Sequence, residues 1–159
     1  METIQKMYRV NRIVSDDRLI GLQNWYNQVI MKQSDELDLK DVSIMIRQRL
    51  FLKTAVNKAI AFLEKDPLIG EMYQGQLLVN FSTVPSNNYV EYREKLFSVL
   101  KKSKKSIDVA DDLTETEKKD IIKAMQVINV ALKEQTDLDE NELTTIKFRF
   151  NRKSGLTDT

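Results

Sequence analysis

The chain has 159 residues and a formal net charge of +1, and 42% of its residues are hydrophobic while 31% are charged. This length and composition fit one domain that buries its own hydrophobic core. The absence of cysteine and histidine excludes disulfides, cysteine nucleophiles, the usual zinc sites and the side chain most often used for acid–base catalysis. Four glycines and two prolines leave little turn chemistry for short strands, so we predict an all-α fold.

Carboxylates alone could still support catalysis, as paired acids in glycosidases or as ligands of magnesium. The acidic residues of this chain fall mainly at predicted helix starts and on charged faces, where capping and solvation explain them. We therefore predict a protein that is not an enzyme, with no catalytic residue, no metal site, no cofactor and no small-molecule substrate.

The first fourteen residues contain no apolar run of the length that a signal peptide needs, because Lys6, Arg9 and Arg12 interrupt them. No later segment has the length and hydrophobicity of a membrane-spanning helix. We therefore expect a cytoplasmic protein that does not interact with membranes.

A polar arm is predicted up to about Ser15, where a hydroxyl followed by two acids is typical of a helix start. The first helix should run from about Asp17 to Lys32, with Trp25 as an anchor in the core. The acidic segment that follows should supply an acid to cap a second helix, which we expect to end near Arg47 or Gln48.

The rest of the predicted fold is built around the stretch from Met45 to Leu78. It contains a long helix with an apolar stripe, which Asp66-Pro67 should stop because proline clashes with the preceding helical turn. Gly70 is the expected hinge of the turn that follows. A new helix is predicted from Tyr73 onward, with Gly75 at a point of close backbone approach. The stripe consists of Leu52, Ala55, Val56, Ala59, Ile60 and Leu63.

Farther along, Ser86 is predicted to cap a helix whose C-terminal end carries a lysine-rich run. A capping box of Thr114 and Glu117 should start the last major helix, which we expect to end near Lys133. Residues 144–150 alternate polar and apolar side chains, so they could form a short extended segment or continue the helix. We thus expect one domain over residues 1–159, an irregular bundle of about five or six helices, with residues 1–15 and 151–159 mobile.

The central stretch contains a series of short motifs at characteristic positions. They are Met45-Ile46-Arg47-Gln48, Ala59 to Leu63, Asp66-Pro67-Leu68, Gly70, Tyr73, Gly75, Leu77 and Leu78, and Val84-Pro85 with Tyr89. In these motifs the chain resembles the immunity proteins of bacterial contact-dependent growth inhibition (CDI) systems, in particular a small α-helical family. The resemblance covers roughly residues 37–130 and is clearest over residues 42–85. It implies a cytoplasmic, non-catalytic protein that binds and neutralises a C-terminal toxin domain, usually a nuclease, in a one-to-one complex.

Inhibitors of nucleases are often acidic, whereas this chain is nearly neutral, so charge complementarity would have to come from local patches. Loops at one end of a helical bundle could bring separate acidic groups onto one surface that imitates nucleic-acid phosphates. The alternative is that these acids lie in separate solvated loops outside any interface. The candidate partner-binding residues are Asp108, Asp111, Asp112 and Glu115, together with Asp35, Glu36 and Asp38.

Two other functions remain open. One is a helical nucleic-acid-binding regulator that uses the lysine-rich runs from Lys101 to Lys105 and from Lys147 to Lys153. The first run has no interleaved arginine or aromatic residue, and the chain as a whole is nearly neutral, so direct nucleic-acid binding is the weaker prediction. The other is a helical scaffold protein without a toxin partner.

Overall fold

The structure, a computed structural model, describes the backbone of residues 1–14 and 21–154 and the side chains of residues 1–14 and 21–134. Within these ranges the fold is all-α, as predicted, and no helix of the described residues is long and apolar enough to cross a membrane. Three short 3-10 turns cover residues 34–36, 86–88 and 90–92. The helices are α1 (Ile4–Tyr8), α2 (Gly21–Val29), α3 (Leu39–Gln48), α4 (Leu52–Lys65), α5 (Gln76–Phe81), α6 (Arg93–Val109) and α7 (Glu115–Ser154).

Helix α4 lies at the centre of the fold and packs against α3, α5 and α6. Its predicted apolar stripe is confirmed, because five of the six residues are buried and Leu52 is partly buried at the helix start. Fourteen residues make this helix about 20 Å long. The helix ends before Pro67 as expected, and the Asp66 side chain accepts a hydrogen bond from the Leu68 amide in the following turn.

Helix α3 begins with the acidic cap that the sequence predicts. The Asp38 carboxylate accepts a hydrogen bond from the Asp41 amide at 2.8 Å, and the Asp41 carboxylate accepts one from the Asp38 amide at 3.2 Å. This reciprocal pair satisfies two backbone donors at the helix N-terminus. The chain then turns sharply into α4, because Arg49 and Phe51 both adopt left-handed backbone conformations, with φ of 54° and 51°.

Gly75 lies between the turn after α4 and helix α5, and it packs against α7. Its φ of +84° is a conformation that glycine adopts easily, and a Cβ atom there would lie 2.5 Å from the Cδ1 and Cγ1 atoms of Ile121. A close approach is therefore present at this glycine, but the atoms that approach it belong to the Ile121 side chain and not to backbone. Helix α5 itself begins at Gln76 rather than Tyr73, since the residues before it form a turn.

The N-terminal segment differs from the polar arm that we expected. It contains α1, and Ile4 is completely buried. Its backbone is tied to the segment after α2, because the amides of Ile4 and Gln5 donate to the carbonyls of Lys32 and Ile30 at 2.9 and 2.8 Å. Tyr8 and Val10 also pack against the core, and the Tyr8 hydroxyl shares a hydrogen bond of 2.8 Å with Thr54 Oγ1. The predicted start of α2 near Ser15 lies outside the described residues.

The segment before α6 also corrects the prediction. Ser86 begins a 3-10 turn instead of capping a long helix, and α6 starts only at Arg93. The intervening Tyr89 is buried against Phe81, with ring centroids 5.2 Å apart, so its position follows from packing rather than helical periodicity. Because α6 continues to Val109, the first lysine run lies within the helix and not at its C-terminal end.

Helix α7 begins at the predicted capping box, in which the Glu117 amide donates to Thr114 Oγ1 at 3.1 Å and the Thr114 amide donates to Glu117 Oε2 at 2.9 Å. The helix does not end near Lys133 but continues to Ser154. Of the two alternatives for residues 144–150, the backbone is therefore helical. A helix satisfies its own backbone hydrogen bonds, whereas a single short strand would need a partner.

Candidate functional site

Among the described residues, no three acidic side chains come together in a way that could hold a metal ion. The two predicted acidic groups lie in the connection before α3 and around the connection between α6 and α7.

The first acidic group lies between α2 and α3 and largely serves the local backbone. Glu36 accepts a hydrogen bond from the Gln33 amide at 3.0 Å, and Asp38 caps α3. Asp35 is exposed at the edge of a groove that also includes Lys53 and Asn57 of α4. All three acids reach solvent, but two of them are already engaged as caps.

Asp41 follows this group and is part of a buried polar network. Its side chain is only 6% exposed, and it accepts hydrogen bonds from Lys32 Nζ at 2.7 Å and from Trp25 Nε1 at 3.0 Å. Burial acts to raise the pKa of Asp41, but the hydrogen bonds from Lys32, the Asp38 amide and Trp25 outweigh it and lower that pKa. Asp41 therefore links α2 to α3 and is not available to a partner.

Trp25 was predicted to be a core anchor, and the structure gives it a mixed role. Its ring is half-buried and packs against the core, while its indole N–H donates to Asp41. A tryptophan with one apolar face and one hydrogen-bonded edge commonly lies at such a boundary.

The second acidic group surrounds the connection between α6 and α7. Asp108, Asp111, Asp112 and Glu115 are all exposed. Asp112 accepts a hydrogen bond from the Gln74 side chain, so this connection lies beside the loop between α4 and α5. The other three carboxylates, those of Asp108, Asp111 and Glu115, are accessible to a partner. Asp108 also lines a shallow groove between α6 and α7.

The two acidic groups lie beside different parts of α4. Asp35 lies beside Lys53 and Asn57, in the N-terminal half of α4. Asp112 instead contacts Gln74, in the segment that follows the C-terminal end of α4.

The first lysine-rich run is also partly engaged. Lys102 Nζ donates to the Glu64 carbonyl at 2.8 Å, near the C-terminal end of α4, where cations are favourable. The second run, from Lys147 to Lys153, lies outside the described side chains.

The sequence did not point to a set of exposed apolar side chains near the second acidic group. Met72 is 77% exposed and Tyr73 is 42% exposed. Both lie in the loop between α4 and α5, whose Gln74 side chain donates a hydrogen bond to Asp112. Val109, at the end of α6, is 77% exposed. Hydrophobic periodicity predicts which face of a helix is buried, but it makes no prediction for loops. The available signal was compositional, because this loop contains acids but no lysine or arginine.

The comparison with protein families agrees with the resemblance seen in the central stretch. A family model described as CDI immunity proteins matches residues 7–99, more than half of the chain. The match includes α2 to α5 and the first part of α6. No match was found among curated proteins. This chain belongs to the family of CDI immunity proteins.

Proposed function

We propose that this protein binds the toxin domain of a CDI effector in a one-to-one complex in the cytoplasm and so blocks its toxicity. The observation that carries the proposal is the family match over residues 7–99. Inhibition of this kind requires no catalysis, because the inhibitor needs only to cover or distort the site of the toxin. We propose that residues 1–159 form the single domain that performs this function.

We also propose that the toxin is a nuclease, and that Asp108, Asp111, Asp112 and Glu115 face its basic nucleic-acid-binding cleft. Two observations support this. All four acids are exposed, and residues 108–117 contain five acids but no lysine or arginine. Complementary charge of this kind accelerates encounter and disfavours wrong partners. Asp35, Glu36 and Asp38 form a second, separate candidate surface.

The proposed function can be tested in cells that produce the toxin domain encoded immediately upstream of this chain. Co-expression of the chain should restore growth, and a tag on the toxin domain should recover both proteins together. Loss of growth despite abundant chain would contradict the proposal. Retention of the chain on nucleic acid would then favour a role for the lysines from Lys101 to Lys105.

Charge reversal should show whether the second acidic group, rather than the net charge of the chain, contributes to binding. We expect the Asp111→Lys/Glu115→Lys variant to bind the toxin domain about tenfold more weakly at low salt, with a smaller loss of affinity as salt is added. Asp112 is left intact because it holds Gln74. The measurement is a titration at two salt concentrations.

The matched control is Glu2→Lys/Glu91→Lys, which makes the same change in net charge at two exposed acids outside both groups. An equal loss in the control would mean that only the overall charge matters. Unchanged affinity in the Asp111→Lys/Glu115→Lys variant would remove this group from the interface.

A further inference from the structure

Two connections lie side by side at one end of the bundle. One is the loop between α4 and α5, and the other is the connection between α6 and α7. They are joined by the hydrogen bond from Gln74 to Asp112 and by the close packing of Gly75 on Ile121. We call the exposed side chains of Met72, Tyr73 and Val109, together with the acids of residues 66–75 and 108–117, the end surface.

The backbone that presents Met72 and Tyr73 is firmly held. The Met72 amide donates to Oε1 of the buried Gln76 at 2.8 Å, and the Gly75 amide donates to the Leu68 carbonyl at 2.8 Å. The turn is also tight at Gly70, where a Cβ atom would meet the Tyr73 carbonyl oxygen. A fixed backbone lowers the entropy that a surface loses when it binds a partner.

The apolar side chains of the end surface are exposed to solvent. Met72 and Val109 are each 77% exposed, and Tyr73 is 42% exposed. Tyrosine and methionine are enriched in the buried centres of protein interfaces, where a few anchors supply much of the binding energy. Exposed apolar residues rimmed by charge are typical of an interaction site.

The charge around these side chains indicates the chemistry of the partner. The two segments contain seven acids and no lysine or arginine, although the whole chain has 25 basic and 24 acidic residues. Such a composition favours a basic partner over a nucleic acid or an anionic membrane. A protein whose basic side chains surround an apolar depression would match both its charge and its apolar centre.

We propose that the end surface is the docking site for a basic face of the toxin domain, with Met72 and Tyr73 as apolar anchors and the acids as a charged rim. This rests on the proposed function, and it adds anchors that charge alone does not predict. Docking here buries the two side chains in the partner while the acids orient it.

The test is the Met72→Ala/Tyr73→Ala variant, titrated with the purified toxin domain. We expect affinity to fall at least tenfold, because truncating a buried anchor mainly speeds dissociation. The dependence of affinity on salt should stay close to that of the wild type, since no charge is removed. Charge reversal at Asp111 and Glu115 should instead flatten that dependence.

A matched control is Met31→Ala/Val130→Ala, which truncates two exposed apolar side chains elsewhere, 61% and 52% exposed. Circular dichroism should show that both variants fold and melt like the wild type. Equal losses in the variant and control, or a Met72→Ala/Tyr73→Ala variant that binds within twofold of the wild type, would overturn the docking site. A wild-type chain that fails to bind the toxin domain would overturn the proposed function as well.

Discussion

Alanine at Gly75 is expected to lower the free energy of unfolding by about 3 kcal/mol, because it combines backbone strain with overpacking. The φ of +84° is unfavourable for any residue with a Cβ atom. The new methyl group would also stand 2.5 Å from two side-chain atoms of Ile121, which is buried and cannot move freely. The loss can be measured by urea denaturation followed by circular dichroism.

Two further variants separate these causes. Gly75→Ala should cost less in an Ile121→Ala background, because the colliding atoms are absent and only the backbone strain remains. Gly21→Ala is the control, since a Cβ atom there would meet nothing within 4 Å. An equal loss at Gly21 and Gly75 would show that close packing on α7 is not the reason.

Replacing Asp41 with alanine is expected to cost about 2–3 kcal/mol, because it breaks the link between α2 and α3 and leaves the Trp25 N–H without its acceptor. The variant also loses the capping box that starts α3. The Lys32 side chain is 33% exposed, so water screens part of the attraction, and the cost stays below that of a fully buried pair. Asp35→Ala, at an exposed acid in the connection just before α3, is the matched control.

The same carboxylate should make folding sensitive to acid. Because the pKa of Asp41 is lower in the folded state, its contribution is fully present above the ordinary value of 3.8 and disappears as the pH falls through the folded pKa. The difference in stability between the wild type and Asp41→Asn should therefore be constant near neutral pH and shrink below about pH 4. A difference that does not change down to pH 2 would contradict this assignment.

The sequence predicted well those features that depend on neighbouring residues. The caps at Asp38 and at Thr114 with Glu117, the stop at Asp66 and the buried stripe of α4 all follow from chemistry within one or two helical turns. The family resemblance of the central stretch has the same local character, and the family match confirms it.

The features that the sequence missed depend on packing between distant segments. Ile4 packs beside the end of α2. Tyr89 packs in the core beside Phe81, and α6 begins only after it, at Arg93. The placement of the acids is a tertiary property too. Whether Asp35 and Asp112 share a surface depends on which end of α4 each approaches, and no local pattern contains that information.

The exposure of Met72 and Tyr73 was equally hidden in the sequence. Both follow the apolar pair Leu68 and Ile69, which pack against the core, so composition alone did not distinguish anchors from core residues. The acidic composition of this loop was a hint of a surface, but the exposure of the two side chains is a property of the tertiary structure.

Isothermal titration calorimetry with the purified chain and the toxin domain encoded beside it would show whether this protein is a toxin inhibitor. We expect a one-to-one complex of nanomolar affinity that weakens as salt rises, as in a charged, specific interface. Absence of binding by a folded chain, at a toxin concentration that arrests growth in cells, would contradict this expectation.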